Sequence, residues 1–384
     1  MAEPLSGKYF AVGDADVRDN WDKRIWRQYV YSTVFFNPKN KLVKDGDKSE
    51  DAFCLRKKEA FQEGGTRATI TLTKRLVGSP THGNQTMWDR EEGLATATFR
   101  WEIQKIRHAV KVDGEIVENR VTWNVIKASS KALGEWFGER QEAAAAMHLA
   151  GHTIDAGRPN TEPWFDGSDV GATWGNAPSR PDADHYLTIN DKDPDNFTST
   201  DIIDVDWLSD AVAKAAQFKQ PIKPVRMFGD DYFLWLVHPN TIRHWKDAGT
   251  RWWEVARAAI QGGKINDNPI IRGTVGVYEN VMIMSWLYLP PSLNDRAAPT
   301  AVVDNTRTCV FCGQGALLYG VAKRYPDENT FRRVERDKDY GDKVGVEAHT
   351  LGGLACPEFD YDGTTERFST IIGAGYAKDQ ITPS

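Results

Sequence analysis

Two segments in which apolar and polar residues alternate constrain the fold of this chain most strongly. Residues 66–76 read TRATITLTKRL, residues 95–112 read ATATFRWEIQKIRHAVKV, and a polar stretch with glycines, 78–93, separates them. Alternation with a period of two is typical of strands, so the pattern predicts a long two-stranded β-ribbon. A lone ribbon is marginally stable in water. Its apolar face must be covered by the body of the protein or by a neighbouring subunit, and we expect the neighbour.

A long helix is predicted over residues 121–150, where alanine is frequent and proline is absent. Gly151 stands where a C-terminal cap belongs. About 28 residues at a rise of ~1.5 Å each would span roughly 42 Å, which is long for a globular domain. Nearer the N-terminus, a polar arm leads into a short amphipathic helix predicted over 21–36, and Pro38 ends it.

After the long helix, the composition and the predicted secondary structure of the chain change twice. Residues 151–206 hold twelve Asp/Glu and three Arg/Lys, with dense proline and glycine, which predicts an acidic, loop-rich insertion with little regular structure. A helix is predicted over 202–218, and an α/β pattern extends from 221 to 325. After residue 221 we expect a buried strand at 233–238, helices at 240–247 and 250–261, and a hairpin at 276–286. A strand that enters a short helix is expected at 306–320, and late strand segments are expected at 344–359 and 367–377.

The length and the net charge of the chain limit the functions that it can have. A chain of 384 residues suggests two or three packing units. Its net charge of −6 provides no basic field that would hold nucleic acid along the whole chain. A protein that coats DNA is therefore disfavoured, whereas one that only encloses DNA is compatible. We see no secretory signal in residues 1–20 and no run of 18 apolar residues, so we expect folding in cytoplasm and no membrane association.

Two pairs of side chains have the spacing of metal ligands. His148 and His152 are four residues apart, but the string HLAGH lacks the glutamate of a zinc protease motif. Cys309 and Cys312 form a single CxxC, and positions three apart on a strand face opposite sides. We expect ordinary histidines at a helix end, with a metal site as the alternative. We expect buried core thiols at the CxxC, with redox or metal use as the alternative.

The string NDKDPDN at 190–196 places Asp191, Asp193 and Asp195 at the spacing of a calcium loop. The glycine and the glutamate that such a loop requires at positions six and twelve are replaced by Asn196 and Ile202. A solvated acidic loop is the preferred interpretation. The chain contains neither GxSxG nor GxxxxGK[ST]. We therefore expect no catalytic residues, no cofactor and no metal, and hence no enzyme.

The order of arm, ribbon, long helix and α/β region resembles the Hong Kong 97-type capsid fold. Local sequence resembles one branch of it, the N-four-type major capsid proteins. Four stretches carry the resemblance: QKIRHAVKVDGEIVENRVTWNV (104–125), PIKPVRMFGDDYFLWLVHPNTIRHWK (221–246), NDNPIIRGTVGVYENVMIM (266–284) and RDKDYGDKVGVEAHTLGG (336–353).

The resemblance implies an α+β fold with an N-terminal arm, a long β-hairpin called the E-loop, a spine helix, and central A- and peripheral P-domains. The implied parts are an arm with a short helix (1–60), the E-loop ribbon (61–115), the spine helix of the P-domain (116–151), the acidic insertion (152–201), a mainly A-domain region (202–325) and return strands of both domains (326–384).

The resemblance also implies a function, that of a tailed-phage major capsid protein. Such a protein would assemble in the host cytoplasm into the pentamers and hexamers of an icosahedral head, as part of the virion, and enclose double-stranded DNA without sequence-specific binding. A portal would be a further partner, with scaffold or decoration proteins as optional ones. The alternatives are an encapsulin-type compartment shell and a metal-dependent enzyme that uses the histidines or the CxxC thiols.

We expect contacts between subunits at basic and aromatic residues of the ribbon and the arm. The ribbon segment 66–112 carries eight Arg/Lys and four Asp/Glu, so it could meet the acidic insertion of a neighbour. The candidate contact residues are Arg67, Lys74, Arg75, Trp88, Arg90, Phe99, Trp101, Trp21 and Trp26.

Overall fold

Two β-sheets and one long helix organise the chain. The computed structural model describes residues 25–46, 51–58, 65–113, 125–152, 173–227, 229–246, 274–295, 301–322, 332–338, 343–361 and 363–378. Its helices are α1 (residues 25–32), α2 (Val125–Ala150), α3 (Val205–Gln217) and α4 (Pro239–Lys246). Its strands are β1 (Val43–Asp45), β2 (Cys54–Lys57), β3 (Arg67–Thr73), β4 (Thr96–Glu102), β5 (Gln104–Asp113), β6 (Tyr186–Thr188), β7 (Val225–Met227), β8 (Asp230–Val237), β9 (Thr274–Tyr278), β10 (Val281–Ser285), β11 (Thr306–Cys312), β12 (Leu317–Val321), β13 (Arg332–Lys338), β14 (Lys343–Ala355), β15 (Glu358–Tyr361), β16 (Thr364–Arg367) and β17 (Thr370–Tyr376).

The ribbon forms as the alternating pattern predicts, but it is shorter. Strands β3 and β4 pair antiparallel, from Arg67 opposite Glu102 to Thr73 opposite Thr96. The second limb was expected to continue to residue 112. The chain instead leaves the ribbon at Ile103 and continues as β5, which pairs with β14 in the body of the protein. The apolar positions are odd-numbered from Ala97 to Ile103 and even-numbered from Ile106 to Val112, so the phase of the alternation shifts where the chain changes partner, and the prediction of one continuous strand missed this shift.

The first sheet lies against the long helix. Its strand order is β1-β2-β12-β14-β13, with β5 also paired to β14, and α2 packs on β14 and β5. The predicted long helix is confirmed over Val125–Ala150, and residues 121–124 lie outside the described part. Gly151 ends it in the left-handed conformation, at φ +81°, and its N–H donates to the carbonyl of Met147 at 2.8 Å.

The second sheet separates two apolar cores. Its order is β6-β17-β11-β8-β10-β9, with β7 paired to β8. Alternate residues of β8 point to opposite sides: Leu234 and Leu236 join the core around α2, whereas Trp235 and Val237 join the core around α3 and α4. The predicted hairpin is confirmed as β9–β10. The positive φ angles of Glu279 and Asn280, 48° and 61°, are those of the tight turn that suits a twisted hairpin.

Several sequence predictions near this sheet need correction. Residues 306–320 were expected to pass from strand into a short helix, but Leu317–Val321 is a fully buried strand that pairs with β2 and β14. The acidic insertion was expected to have little regular structure. Within its described part, 173–201, Tyr186–Thr188 adds a parallel strand to β17.

The helix predicted over 202–218 is confirmed as α3, whereas the helix predicted over 250–261 lies outside the described residues.

Candidate functional site

The loop that joins the two ribbon strands exposes apolar side chains to solvent. Five of the eight large exposed hydrophobic residues in the described part of the chain lie in this loop. We call these five the apolar tip: Leu76, Val77, Met87, Trp88 and Leu94. Val77 and Trp88 are 83% and 79% exposed. Large apolar side chains left exposed together in one loop often mark a contact with another molecule, and aromatic residues such as Trp88 often provide much of the binding energy.

One carboxylate holds the two sides of this loop together. Glu92 accepts hydrogen bonds from the backbone N–H groups of Val77 and Gly78, with shortest distances of 2.9 and 2.7 Å. These two donors stabilise the ionised form and lower the pKa of Glu92 below its usual value. Arg90 donates a side-chain hydrogen bond to Gln85 within the same loop. The tip is therefore presented in a defined shape, although its apolar residues have little cover.

The base of the ribbon is covered by the chain itself, which corrects the expectation that a neighbour would cover the whole apolar face. Trp101 is only 3% exposed, and its ring lies 2.6 Å from where a Cβ at Gly320 would stand. The Phe99 ring lies 6.4 Å from that of Phe359 on the β15–β16 hairpin. Trp101 is thus part of the subunit's own core, and Phe99 is partly covered there. Only the tip remains open.

The other candidate contact residues have varied surroundings. Arg67 is exposed and donates from Nε to Glu102 at 3.1 Å, directly across the ribbon. The Lys74 ammonium lies 5.5 Å from the centre of the Tyr361 ring, and Arg75 is exposed. Trp26 is partly buried and stacks on Tyr29 of the same helix at 5.1 Å. Trp21 lies outside the described residues.

The N-terminal helix α1 packs closely against the long helix α2 at two glycines. A Cβ at Gly134 would lie 2.8 Å from the Ile25 carbonyl oxygen, and one at Gly138 would lie 2.1 Å from the Ser32 hydroxyl. Only glycine permits this close approach. The Tyr29 hydroxyl donates to Gln141 Oε1 at 2.7 Å, which adds a buried polar contact between the helices. This contact was not predicted, although two glycines four apart in a long helix, at 134 and 138, were a signal for it.

The histidines at the end of the long helix bind backbone rather than one another. His148 Nε2 lies 2.8 Å from the Thr173 carbonyl, and His152 Nε2 lies 2.9 Å from the Pro291 carbonyl. Burial lowers the pKa of His148 to about 4 and also lowers that of His152, so both are neutral at pH 7. A neutral imidazole can donate one N–H to such a carbonyl. The geometry favours the structural interpretation of this pair.

The C-terminus of the long helix is capped by a buried arginine. The Arg367 guanidinium donates to the carbonyl oxygens of Leu149, His148 and Ser179 at 2.7, 2.8 and 2.6 Å. A cation at the negative end of the helix dipole is favourable, and the carbonyls of His148 and Leu149, in the last turn, would otherwise lack helical partners. Sequence reasoning missed this residue, which is more than 200 positions away from the helix it caps.

The surroundings of the cysteines and of the acidic loop also favour a structural role for these residues. Cys309 and Cys312 are fully buried in β11 and belong to different cores, as the strand periodicity predicted. Burial raises the pKa of both thiols, which disfavours the reactive thiolate. Asp201 accepts from the Lys192 ammonium at 2.7 Å, so the loop 190–201 contains its own cation. In the described ranges, no group of three or more His, Cys, Asp or Glu side chains could hold a metal ion.

Comparison with known proteins gives a consistent result. The sequence model of a family described as phage capsid protein matches residues 10–374. The chain is 24% identical over 403 residues to the major capsid protein of Pseudomonas phage KPP25, covering 97% of this chain and 98% of that one. None of the helices in the described part of the chain is long and apolar enough to cross a membrane.

Solved structures agree on the fold. The capsid of Ralstonia phage GP4 matches with a TM-score of 0.71 and 21% identity, covering 100% of this chain and 98% of the other. The capsid of cyanophage Pam1 matches with a TM-score of 0.65 and 14% identity, covering 98% of both chains. The predicted capsid fold of the Hong Kong 97 type is confirmed.

Proposed function

Because the chain belongs to the phage capsid protein family, we propose that it is the major capsid protein of a tailed bacteriophage. It assembles from many copies into the icosahedral head and is part of the virion. The observation that carries the proposal is the family match over residues 10–374. The likeness to the KPP25 major capsid protein over nearly its whole length supports it further.

The apolar tip is the part of the subunit that we assign to contacts between copies. Burying Trp88 and its neighbours on another subunit removes apolar area from water. This burial contributes a favourable free energy of roughly 25 cal/mol per Å², before the costs of association. A tip on one surface and a receiving site on a different surface make a heterologous contact. Such contacts form rings when the rotation closes, as pentamers and hexamers require.

The remaining assignments follow from this proposal. The sheet with α2 would be the P-domain, the second sheet the A-domain, and the ribbon the E-loop. The net charge of −6 suits a container that does not bind its double-stranded DNA along the whole chain. A portal would complete the head, with scaffold or decoration proteins as further partners, and assembly would take place in the host cytoplasm.

Two alternatives are disfavoured. The family match favours a phage head over an encapsulin-type compartment, and DNA rather than a cargo protein inside purified shells would separate the two. A metal-dependent enzyme would need the histidines or thiols as ligands, and these are bonded to carbonyls or buried in separate cores.

Electron microscopy tests the proposal directly. The full chain is expressed alone and, in parallel, with the scaffold protein of the same phage. Closed shells, tubes or discrete capsomers are the expected products. A chain that remains monomeric at high concentration in both preparations would contradict the proposal.

A further inference from the structure

The apolar tip stands on a loop that has little backbone pairing of its own. The last hydrogen bond of the ribbon joins the Lys74 N–H to the Ala95 carbonyl at 2.9 Å. The described residues beyond it, 75–94, belong to neither a strand nor a helix. Loops of this length without regular structure are usually either functional or mobile. The shape in which the tip is presented therefore depends on contacts that side chains make.

A hydrogen-bonded turn contains the most prominent residue of the tip, Trp88. The Arg90 N–H donates to the Met87 carbonyl at 3.0 Å, and Asp89 between them has a φ of +63°. Aspartate tolerates this left-handed conformation better than most residues do. The turn fixes the backbone on both sides of Trp88. It does not by itself fix where the turn lies relative to the opposite limb of the loop.

Glu92 makes the connection to that limb. It follows the turn by two residues, and its carboxylate accepts from the N–H groups of Val77 and Gly78, with shortest distances of 2.9 and 2.7 Å. Hydrogen bonds to an ionised acceptor are stronger than neutral ones. A Cβ at Gly78 would lie 2.8 Å from Glu92 Oε2, so glycine at this position leaves room for the carboxylate. The side chain thus continues the cross-strand bonding beyond the last backbone pair.

A loop that already has its bound shape associates at a lower cost. Ordering mobile side chains at an interface offsets part of the binding free energy, and holding them in place beforehand removes that cost. Glu92 ties the limb that carries Val77 to the limb that carries Met87 and Trp88, so it brings apolar residues from both limbs into one arrangement. The two N–H donors also lower the pKa of Glu92, which keeps the accepting carboxylate ionised at neutral pH.

We propose that Glu92 and Gly78 are positioning residues for subunit association, and that their contact, the loop clasp, holds the apolar tip in the shape in which it docks on a second copy of this chain. The inference rests on the proposed function, because it requires the tip to join copies. Glu92 acts through the tip and not through a contact of its own with the neighbour. This role differs from that of the basic ribbon residues, which would attract a neighbour by charge.

The critical concentration, above which the full chain forms shells, tests the clasp in sedimentation of dilution series. Glu92→Ala should raise it about fivefold or more, because the tip must then be ordered at the contact. Glu91→Ala removes the same charge from the adjacent exposed position and should change it little. Gly78→Ala should also raise it without altering any charge, because the new Cβ displaces the carboxylate. Gly93→Ala is its matched control, since a Cβ there would meet no atom within 4 Å.

Two further readouts separate positioning from a general loss of structure. In hydrogen–deuterium exchange of the unassembled chain, Glu92→Ala should lower the protection of Val77 and Gly78 and leave β3 and β4 unchanged. If Glu92 acts through the tip, combining Glu92→Ala with Trp88→Ala should raise the critical concentration by clearly less than the product of the two single effects.

The outcomes distinguish this inference from the proposed function. If Trp88→Ala raises the critical concentration and Glu92→Ala does not, the clasp is overturned and the role of the tip stands. An equal rise in Glu91→Ala, or a double variant whose effect is the full product, would also overturn the clasp. An unmodified chain that does not assemble, alone or with the scaffold protein, would remove the proposed function and the clasp with it.

Discussion

Replacing Trp88 by alanine should raise the protein concentration at which shells assemble, while the subunit itself stays folded. Trp88 is 79% exposed in the isolated chain. An aromatic side chain buries about 150–250 Å², so roughly 160 Å² of Trp88 is available to a neighbour. At about 25 cal/mol per Å² this is worth up to ~4 kcal/mol for each contact, an upper bound before association costs.

The loss of association energy should be measurable even if the costs of association offset most of this upper bound. A net loss of about 1.4 kcal/mol for each contact changes the association constant tenfold, so we expect the critical concentration to rise at least about tenfold. Sedimentation of shells from dilution series measures it. Thr86→Ala, an exposed polar position in the same loop, is the matched control. The thermal midpoint of the unassembled Trp88→Ala chain should be nearly unchanged, since exposed positions contribute little to subunit stability. An unchanged critical concentration would refute the role given to the tip.

Three further outcomes follow from the structure. Gly134→Ala should lower the free energy of unfolding by about 1–2 kcal/mol, measured by chemical denaturation, because the added Cβ would meet the backbone of α1. Alanine has the higher helix propensity, so a gain in stability would show that this close contact is absent. Arg367→Ala should lower the free energy of unfolding by about 3–5 kcal/mol, seen as a lower thermal midpoint, because two buried carbonyl oxygens and one partly buried carbonyl oxygen lose the guanidinium that donates to them. Replacing Arg67, Lys74 and Arg75 by glutamine should flatten the salt dependence of assembly if ribbon charges set the register between subunits, and an unchanged salt dependence would exclude that role.

Local periodicity was enough to predict the main elements. The β3–β4 pair and α2 follow from alternation and from helix propensity, which a short window of sequence contains. The same windows show only that the apolar positions shift from odd to even numbers after Ile103, and they could not show that the new partner is β14. They also could not show that Trp101 is covered by the strand at Gly320, which is more than 200 residues away.

The contacts that hold the N-terminal segment were harder to predict because both partners look ordinary in isolation. Glu142 and the four alanines that follow it are all buried in the structure, but glutamate and alanine are both common in exposed helices, so the sequence gives no sign of this burial. The partners of the Glu142 carboxylate are backbone N–H groups more than 100 residues away. Sequence alone does not reveal backbone donors of this kind, since every residue except proline has one.

Oxidative footprinting of assembled shells against unassembled subunits tests the central claim most directly. Hydroxyl radicals should modify Trp88 and Met87 readily in the free subunit, where both are exposed, and much more slowly in the shell. Trp174, which is 0% exposed, should be protected in both states and serves as the internal reference. Equal modification of the tip in shells and in free subunits would show that the apolar tip does not join the copies.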